Sequence, residues 1–332
     1  MTLLERKNKL LFCLTPMHVG EEGMRLGHVD NIILREASSQ EPVIPGTTML
    51  GNYSQFVYLW ACSHNPDFVK RELKNIKNYG TEKNPREMTL YQLLFGLDRT
   101  QKETPESQIH EKGIRLDSAK ILWIPCMTLK GPKLVASKER FERIFSISLP
   151  DFGEEEILTT QENLFNDKIL QVAKTDIFWL NLKNIKVTAT TFLNNNTINS
   201  IETALPHDLK NKNKKITEDI VFVKESLFPY IISKSLKIRT SVSIDRVTRA
   251  AKDKALFTYE LLPRNTLLSF GITVSKTVAE QYSPPTNDIL KQSASSGVWE
   301  ILEKVRPYFE MVGIGGMTSR GFGKCKILDL KQ

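Results

Sequence analysis

The residues best suited to acid–base chemistry lie close together near the start of the chain. His18, His28 and Asp30 fall in a segment broken by three glycines, after the apolar run Leu10–Leu14, which predicts a strand. Thr47–Thr48 then precede an apolar, periodic stretch and predict a helix start. A loop between a strand and a helix can present such side chains on a rigid frame. Loop histidines and aspartates are also common on protein surfaces, so the residue types alone leave the function open.

The composition is typical of a soluble globular protein. The 332 residues include 46 Lys and Arg against 38 Asp and Glu, which gives a formal net charge of +8 and favours a polyanionic partner such as RNA or DNA. The length permits one large domain or two small ones. No apolar run approaches the ~20 residues that a membrane-spanning helix needs. The four scattered cysteines are typical of reduced thiols in a cytoplasmic protein.

Strand and helix patterns alternate along the chain. Residues 49–62 have a helical apolar face, and Ile114–Leu129 has the composition of a central strand. Further strands are expected within 176–192, 236–244 and 265–274, and an amphipathic helix over Asp288–Val305. We therefore expect an α/β fold, a modified RRM-like or ferredoxin-like palm with an antiparallel sheet and insertions.

The segment 193–216 has a different composition. Asparagine and lysine dominate it, and few of its residues are apolar. This pattern predicts either a disordered loop or a projecting arm that becomes ordered on a partner, and the basic end favours an anionic partner. We expect 1–192 and 217–332 to form the palm around this insertion.

A glycine-rich loop precedes the last predicted strand. Gly315, Gly316 and Gly321 would let a backbone approach a phosphate closely, and Arg320 and Lys324 supply positive charge. The order of helix, glycine loop and strand excludes a dinucleotide-binding fingerprint, which needs strand, loop and helix. An enzyme that binds a small nucleotide here is therefore the weakest of the functional interpretations.

Several blocks of the sequence resemble the RAMP proteins of CRISPR-Cas effector complexes. They are TPMHVG, GHVDNIILRE, PVIPGTTMLG, GIRLDSAKILWIPCMTLKG, LKIRTSVSIDRVTRAAKDKALFTYELLPRNTLLSF and the terminal SRGFGK. Among these proteins, the chain most resembles the repeated backbone subunit of type III-B (Cmr) complexes. The type III-A (Csm) counterpart is second, and SRGFGK resembles that form, so the subtype stays open.

The resemblance implies a subunit that binds a CRISPR RNA, pairs it with a target RNA, and stacks head-to-tail with copies of itself beside other type III subunits, in the cytoplasm and away from membranes. It also implies cleavage of the target by a 2′-hydroxyl, assisted by a divalent metal, Mg²⁺. Asp30 would be the catalytic and metal-binding residue, and the segment 193–216 would be the thumb. The further catalytic candidates are His18, Tyr259 and Glu260. The candidates for RNA contact are Arg35, Thr47, Thr48, Gly315, Gly316, Arg320, Gly321 and Lys324.

Two alternatives within the same superfamily stay open. One is an RNA-binding scaffold subunit without activity. The other is an endoribonuclease that processes the guide RNA by metal-free acid–base chemistry with a histidine. Metal dependence and the substrate, a target duplex or a hairpin precursor, distinguish these alternatives.

Overall fold

The computed structural model describes residues 4–20, 29–64, 94–95, 113–128, 131–154, 156–160, 177–180, 185–209, 215–245, 249, 251–275 and 298–330. The chain forms two compact units. Unit 1 comprises Met1–Asn8, Pro45–Ala119 and Phe270–Met311; unit 2 comprises Lys9–Ile44, Lys120–Ser269 and Val312–Gln332. Both units are discontinuous in sequence, so residues far apart along the chain share a core.

The described strands and helices alternate along the chain. The strands are β1 (Leu4–Cys13), β2 (Val43–Ile44), β3 (Ile114–Leu116), β4 (Ala119–Thr128), β5 (Gly131–Ser137), β6 (Glu156–Thr159), β7 (Ile177–Leu180), β8 (Ile185–Phe192), β9 (Ile220–Val223), β10 (Lys237–Ile244), β11 (Ala251–Leu261), β12 (Leu267–Ser275) and β13 (Cys325–Asp329). The α-helices are α1 (Gly46–His64), α2 (Lys138–Phe145), α3 (Asn195–Ala204), α4 (Phe228–Ser235), α5 (Val298–Lys304) and α6 (Arg306–Met311).

Most strands of a mostly antiparallel sheet lie in unit 2, and the strand order is β13-β1-β12-β4-β5-β9-β6-β8-β7. Strand β1 pairs with β13, with Lys9 opposite Asp329 and Cys13 opposite Cys325. The parallel pairs are β5–β9 and β6–β8. All four residues of β9 are buried, as expected for a central strand of apolar, mainly β-branched residues. The predicted α/β fold with an antiparallel sheet is confirmed.

The core of unit 2 lies under α2 and α3. Phe141 of α2 packs edge-on against Phe222 of β9, with ring centroids 4.9 Å apart. The same core contains Leu193, Ile201 and Leu205.

The composition of the segment 193–216 predicts a disordered loop or a projecting arm. Helix α3, which lies in this segment, is instead packed into the core. Ile201 and Leu205 are completely buried. Asn194 caps the helix by accepting a hydrogen bond from the Thr197 N–H at 2.9 Å. The asparagines that suggested disorder therefore provide a cap and an exposed helix surface, and the few apolar residues suffice because they share one face. Residues 210–214, which hold most of the basic end, lie outside the described residues.

Strands β10 and β11 form a separate two-stranded ribbon within unit 2. It carries large apolar side chains that are exposed, with Ile238 65%, Val242 45% and Leu256 60% accessible. An isolated two-stranded hairpin is at best marginally stable in water, so the ribbon relies on contacts at its base.

Unit 1 is built around α1. The helix packs through Tyr53 and Phe56 on Phe309 of α6, with ring centroids 4.8 Å apart in both pairs. A β-carbon on Gly46 would lie 2.1 Å from the Leu116 carbonyl oxygen, so the close approach of α1 to β3 requires glycine. Only the end of the predicted 288–305 helix is described, as α5. No described helix is both long and apolar enough to cross a membrane.

Candidate nucleic-acid interface

His18 connects three parts of unit 2. Its side chain is buried, and Nδ1 donates a hydrogen bond to the main-chain oxygen of Glu260 at 2.7 Å. Because a carbonyl oxygen can only accept, Nδ1 must carry a proton. The ring meets Tyr259 edge-on, with centroids 5.6 Å apart. The His18 main-chain oxygen accepts a hydrogen bond from the Gly316 N–H at 2.8 Å, so the residue joins the N-terminal loop to both β11 and the glycine loop.

Asp30 is fixed to β11 through Thr258. The Asp30 N–H donates to Thr258 Oγ1 at 2.9 Å, and Asp30 Oδ2 accepts from both the N–H and the hydroxyl of Thr258 at 3.0 Å. Asn31 continues the contact, since its N–H donates to the Thr258 carbonyl and its carbonyl accepts from the Glu260 N–H. The half-buried carboxylate is therefore held in one orientation, as a positioned catalytic group requires.

The carboxylate of Glu260 is paired with Arg35. Oε1 accepts from Arg35 Nη2 at 2.6 Å, and Oε2 accepts from the Ile33 N–H at 3.1 Å. The two side chains are only 13% and 11% exposed. Arg35 also donates to the Gln40 carbonyl at 3.2 Å. Both residues therefore hold the loop that contains Asp30 against β11, and their predicted roles in catalysis and RNA contact stay predictions.

The donor set at Asp30 limits the kind of metal site that can form. The described residues contain no group of three or more His, Cys, Asp or Glu side chains that could hold a metal ion. Mg²⁺ commonly binds through one or two carboxylates together with phosphate oxygens and water. Asp30 therefore fits a divalent ion held mainly by RNA phosphates, and the described side chains around it do not by themselves make a metal centre. His28 lies outside the described residues.

Close backbone packing requires glycine at two positions of the glycine loop before β13. At Gly315 φ is +82°, and a β-carbon there would lie 2.3 Å from the His18 carbonyl oxygen. At Gly323 φ is +76°, and a β-carbon would lie 2.0 Å from the Ile314 carbonyl oxygen. The loop is closed by the Ile314 N–H, which donates to the Gly323 oxygen at 2.9 Å. These positions exclude larger residues for structural reasons alone.

Two basic side chains of this loop have no acidic partner among the described residues. Arg320 is exposed, and its Nη1 donates to Ser241 Oγ of β10 at 3.3 Å. Lys324 is half-buried, and its main-chain N–H donates to Thr15 Oγ1 at 3.0 Å. Gly321, with φ of +85° and open space around it, ends the 3₁₀ turn Thr318–Arg320. Positive charge is therefore available to an anion at this edge of unit 2.

Thr47 and Thr48 lie in the first turn of α1, in unit 1. Thr47 is exposed, and the Thr48 carbonyl accepts a hydrogen bond from Asn52 Nδ2 at 2.7 Å. The first turn carries no acidic side chain. The predicted contact with RNA stays a prediction, and these two threonines belong to a different unit from the other candidate residues.

The sequence profile of a family described as the RAMP superfamily matches residues 11–326. The chain belongs to the RAMP superfamily. A search of curated protein sequences gave no significant match. The family that the sequence blocks suggested is thereby confirmed.

Solved structures share the fold of this RAMP protein. The Cmr-beta structure of type III-B bound to cognate target RNA is 14% identical, with a TM-score of 0.57 over 98% of this chain and 96% of that chain. A crystal structure of Cmr4 is 16% identical, with a TM-score of 0.54 over 98% and 99%. Oligomeric Cmr4 from Pyrococcus furiosus is 18% identical, with a TM-score of 0.54 over 97% of both chains. At such identities the likeness establishes the fold.

A buried arginine, which the sequence does not mark, fixes Glu41 at the end of the loop that contains Asp30. Arg140 of α2 forms a bidentate salt bridge with Glu41, in which Nη1 donates to Oε2 at 2.7 Å and Nη2 donates to Oε1 at 2.6 Å. Its Nε also donates to Glu225 Oε1. Burial alone would lower the pKa of Arg140, but hydrogen bonds to Glu41 and Glu225 raise it above its ordinary value. Ser137, the N-cap of α2, predicts the helix start, but nothing in the sequence predicts which carboxylates meet Arg140.

Proposed function

We propose that this RAMP protein is a repeated backbone subunit of a type III CRISPR effector complex that binds the CRISPR RNA and cleaves a target RNA paired with it. The observation that carries the proposal is that the loop containing Asp30, strand β11 and the glycine loop meet at His18 in unit 2. These elements are far apart in sequence. The Cmr-beta structure, described as bound to cognate target RNA, supports the RNA-binding part of this function.

Binding would depend on phosphates and sugars, because one subunit must accept any guide sequence. Arg320 and Lys324, which have no acidic partner among the described residues, are the side chains suited to this role. The structure described as oligomeric Cmr4 supports assembly with copies of the same chain, for which we propose head-to-tail stacking. The exposed aliphatic residues of the ribbon would pack on the neighbouring copy, and other type III subunits would complete the complex in the cytoplasm.

The proposed chemistry is attack by a 2′-hydroxyl on the adjacent phosphate. The bond between the 2′-oxygen and phosphorus forms, the bond to the 5′-oxygen breaks, the hydroxyl loses its proton, and the leaving oxygen gains one. Asp30, held by Thr258, would orient this group or share a divalent ion with the phosphate. Such an ion, when bound, supplies positive charge that stabilises the negative charge developing on the phosphate oxygens in the transition state.

The proposal is tested first by purifying the chain and identifying any bound RNA. We expect co-purifying RNA of mixed sequence and a ladder of oligomers in native mass spectrometry. Arg320→Ala should weaken binding by about 1–3 kcal/mol if the guanidinium contacts a phosphate, and a bulky residue at Gly321 should do worse. An RNA-free monomer without affinity for RNA at low salt would contradict the proposal.

A binding-only scaffold is the second candidate. It is favoured by the hydrogen bonds that engage both Glu260 oxygens and Asp30 Oδ2 within the protein. Processing of the guide by a histidine is less favoured because His18 is buried with Nδ1 engaged. Cleavage of a target by the assembled complex, with and without a chelator, separates these functions.

A further inference from the structure

Alternate residues of β10 point to opposite faces of the β10–β11 ribbon. One face carries Lys237, Arg239 and Ser241 with their cross-strand partners Leu261, Tyr259 and Phe257. The opposite face carries Ile238, Thr240 and Val242 with their partners Glu260, Thr258 and Leu256. The first face thus combines basic and aromatic side chains, whereas the outer part of the second is aliphatic.

The basic face of the ribbon meets the glycine loop at two points. The guanidinium carbon of Arg239 lies 4.8 Å from the ring centroid of Phe322, and Phe322 is buried. Two residues further along β10, Ser241 Oγ accepts a hydrogen bond from Arg320 Nη1 at 3.3 Å. The Phe322 ring attracts the Arg239 guanidinium through a cation–π contact, and the Ser241 hydroxyl accepts from the guanidinium of Arg320.

Both guanidinium groups keep hydrogen-bond donors available. Neither Arg239 nor Arg320 pairs with an acidic side chain in the part of the chain that the structure describes, and both are exposed. Arg239 and Ser241 are two residues apart on β10, so their Cα atoms lie about 7 Å apart on one face of the ribbon, and Arg320 is held at that face by its bond to Ser241. Like charges on one face repel each other, so an anion that contacts both would stabilise the arrangement.

We propose that Arg239 and Arg320 form a two-arginine site that holds successive phosphates of one RNA strand. This inference rests on the proposed RNA-binding function and adds Arg239, with Phe322 as its support, to the interface. A planar guanidinium presents paired N–H groups that match phosphate oxygens. Phe257 lies on the same face, is 45% exposed and offers a ring on which a base can stack, which favours a nucleic acid over a protein partner.

The test compares Arg239→Gln with Arg264→Gln in the full chain. Arg264 is an exposed arginine in the turn before β12, so its substitution makes the same change in charge outside the proposed site. Affinity for a labelled single-stranded RNA is measured at several salt concentrations. We expect Arg239→Gln to lose about tenfold or more in affinity and to lower the salt slope by about 0.7, the value for one phosphate contact on a single strand. Arg264→Gln should match the wild type, and Arg239→Lys should be intermediate because it keeps the charge without the plane.

Four results would contradict the proposal in different ways. If the wild type binds no RNA, the proposed function itself fails. If the wild type binds but Arg239→Gln and Arg264→Gln are alike, the two-arginine site is wrong and the function stands. If Arg239→Gln lowers the thermal midpoint but leaves the affinity of the folded protein unchanged, Arg239 is structural only. Inorganic pyrophosphate, tested alone, should bind far more weakly than RNA, and equal affinity would overturn the assignment to an RNA strand.

Discussion

The imidazole of His18 donates a 2.7 Å hydrogen bond to the main-chain oxygen of Glu260, although the two residues are 242 positions apart in the sequence. The bond is buried, and it lies where the N-terminal loop, β11 and the glycine loop meet. The geometry of the candidate interface therefore depends on a side chain that has no free access to solvent.

His18→Ala should lower the free energy of unfolding by about 1–3 kcal/mol, because it leaves the buried Glu260 carbonyl without its donor. His18→Asn, which keeps a donor, should lose less. Urea unfolding measures both, with the exposed His207→Ala as the control. Equal stability of the His18→Ala and His207→Ala variants would contradict this structural role. A loss of target cleavage by a fully stable His18→Asn would instead indicate a chemical role.

The buried pair of Arg35 and Glu260 should contribute far more to stability than the pair of Lys120 and Glu36. The latter pair is 55% and 37% exposed, and exposed pairs contribute at most ~1 kcal/mol. Arg35→Ala leaves the Glu260 carboxylate buried without its cation, which costs about 3–5 kcal/mol. Unfolding of Arg35→Ala and Lys120→Ala is compared in urea. Similar losses for the two variants would show that the Arg35 pair does not hold the loop.

The contact between Arg140 and Glu225 should make stability depend on pH in the acid range. Burial opposes ionisation of Glu225, but hydrogen bonds from Arg140 and Ser137 outweigh it, so the pKa of this carboxyl lies below its ordinary value. The contribution is present above the unfolded pKa of about 4.3 and is lost as the pH falls through the lower folded pKa. Because Glu225 is nearly half exposed, the effect is screened and small.

Unfolding measured between about pH 6 and about pH 3 tests this dependence. Wild type should lose more stability over this range than Glu225→Gln, and Glu310→Gln, which removes a carboxylate of α6, should follow the wild type. If all three proteins lose the same stability, the low pKa of Glu225 is wrong.

Helix α3 should behave as part of the core. Ile201→Ala removes a completely buried side chain and should cost about 2–5 kcal/mol, whereas Ser200→Ala on the exposed face should cost less than ~0.5 kcal/mol. Deletion of 193–216 should then lower the thermal midpoint strongly. A projecting arm predicts the opposite, a midpoint close to that of the wild type, and calorimetry of the deletion variant decides between them.

The case of α3 shows which features the sequence can predict. Composition indicated disorder there, yet Ile198, Ile201 and Leu205 recur at helical spacing, a signal that local periodicity alone carries. Helix α1 and strands β4, β7, β8, β10 and β12 follow from such local patterns. The pairing of Arg35 with Glu260, and of Asp30 with Thr258, depends on which loop the sheet places beside β11. That placement is a long-range property, and no spacing in the sequence encodes it.

Asp30 is the residue on which the proposed cleavage depends, and its contact with Thr258 allows a sharper test than removal of the side chain. Asp30→Asn keeps an oxygen that can accept from the Thr258 N–H, so the loop should stay in place while the negative charge is lost. Thr258→Val removes the hydroxyl that contacts Asp30 and leaves the carboxylate. The two variants separate the charge of Asp30 from its orientation.

We expect Asp30→Asn to abolish target cleavage by the assembled complex with RNA affinity unchanged, because loss of a negative charge cannot weaken attraction to phosphate. Thr258→Val should slow cleavage partially, since the carboxylate remains but is less well held. If a divalent ion assists, EDTA should abolish target cleavage by the wild type, as the Asp30→Asn substitution does. Cleavage of a labelled target RNA and its binding are measured in parallel, with thermal midpoints as the control for folding. Normal metal-dependent cutting by Asp30→Asn would remove Asp30 from the site, and the binding-only scaffold would then be the better account of this chain.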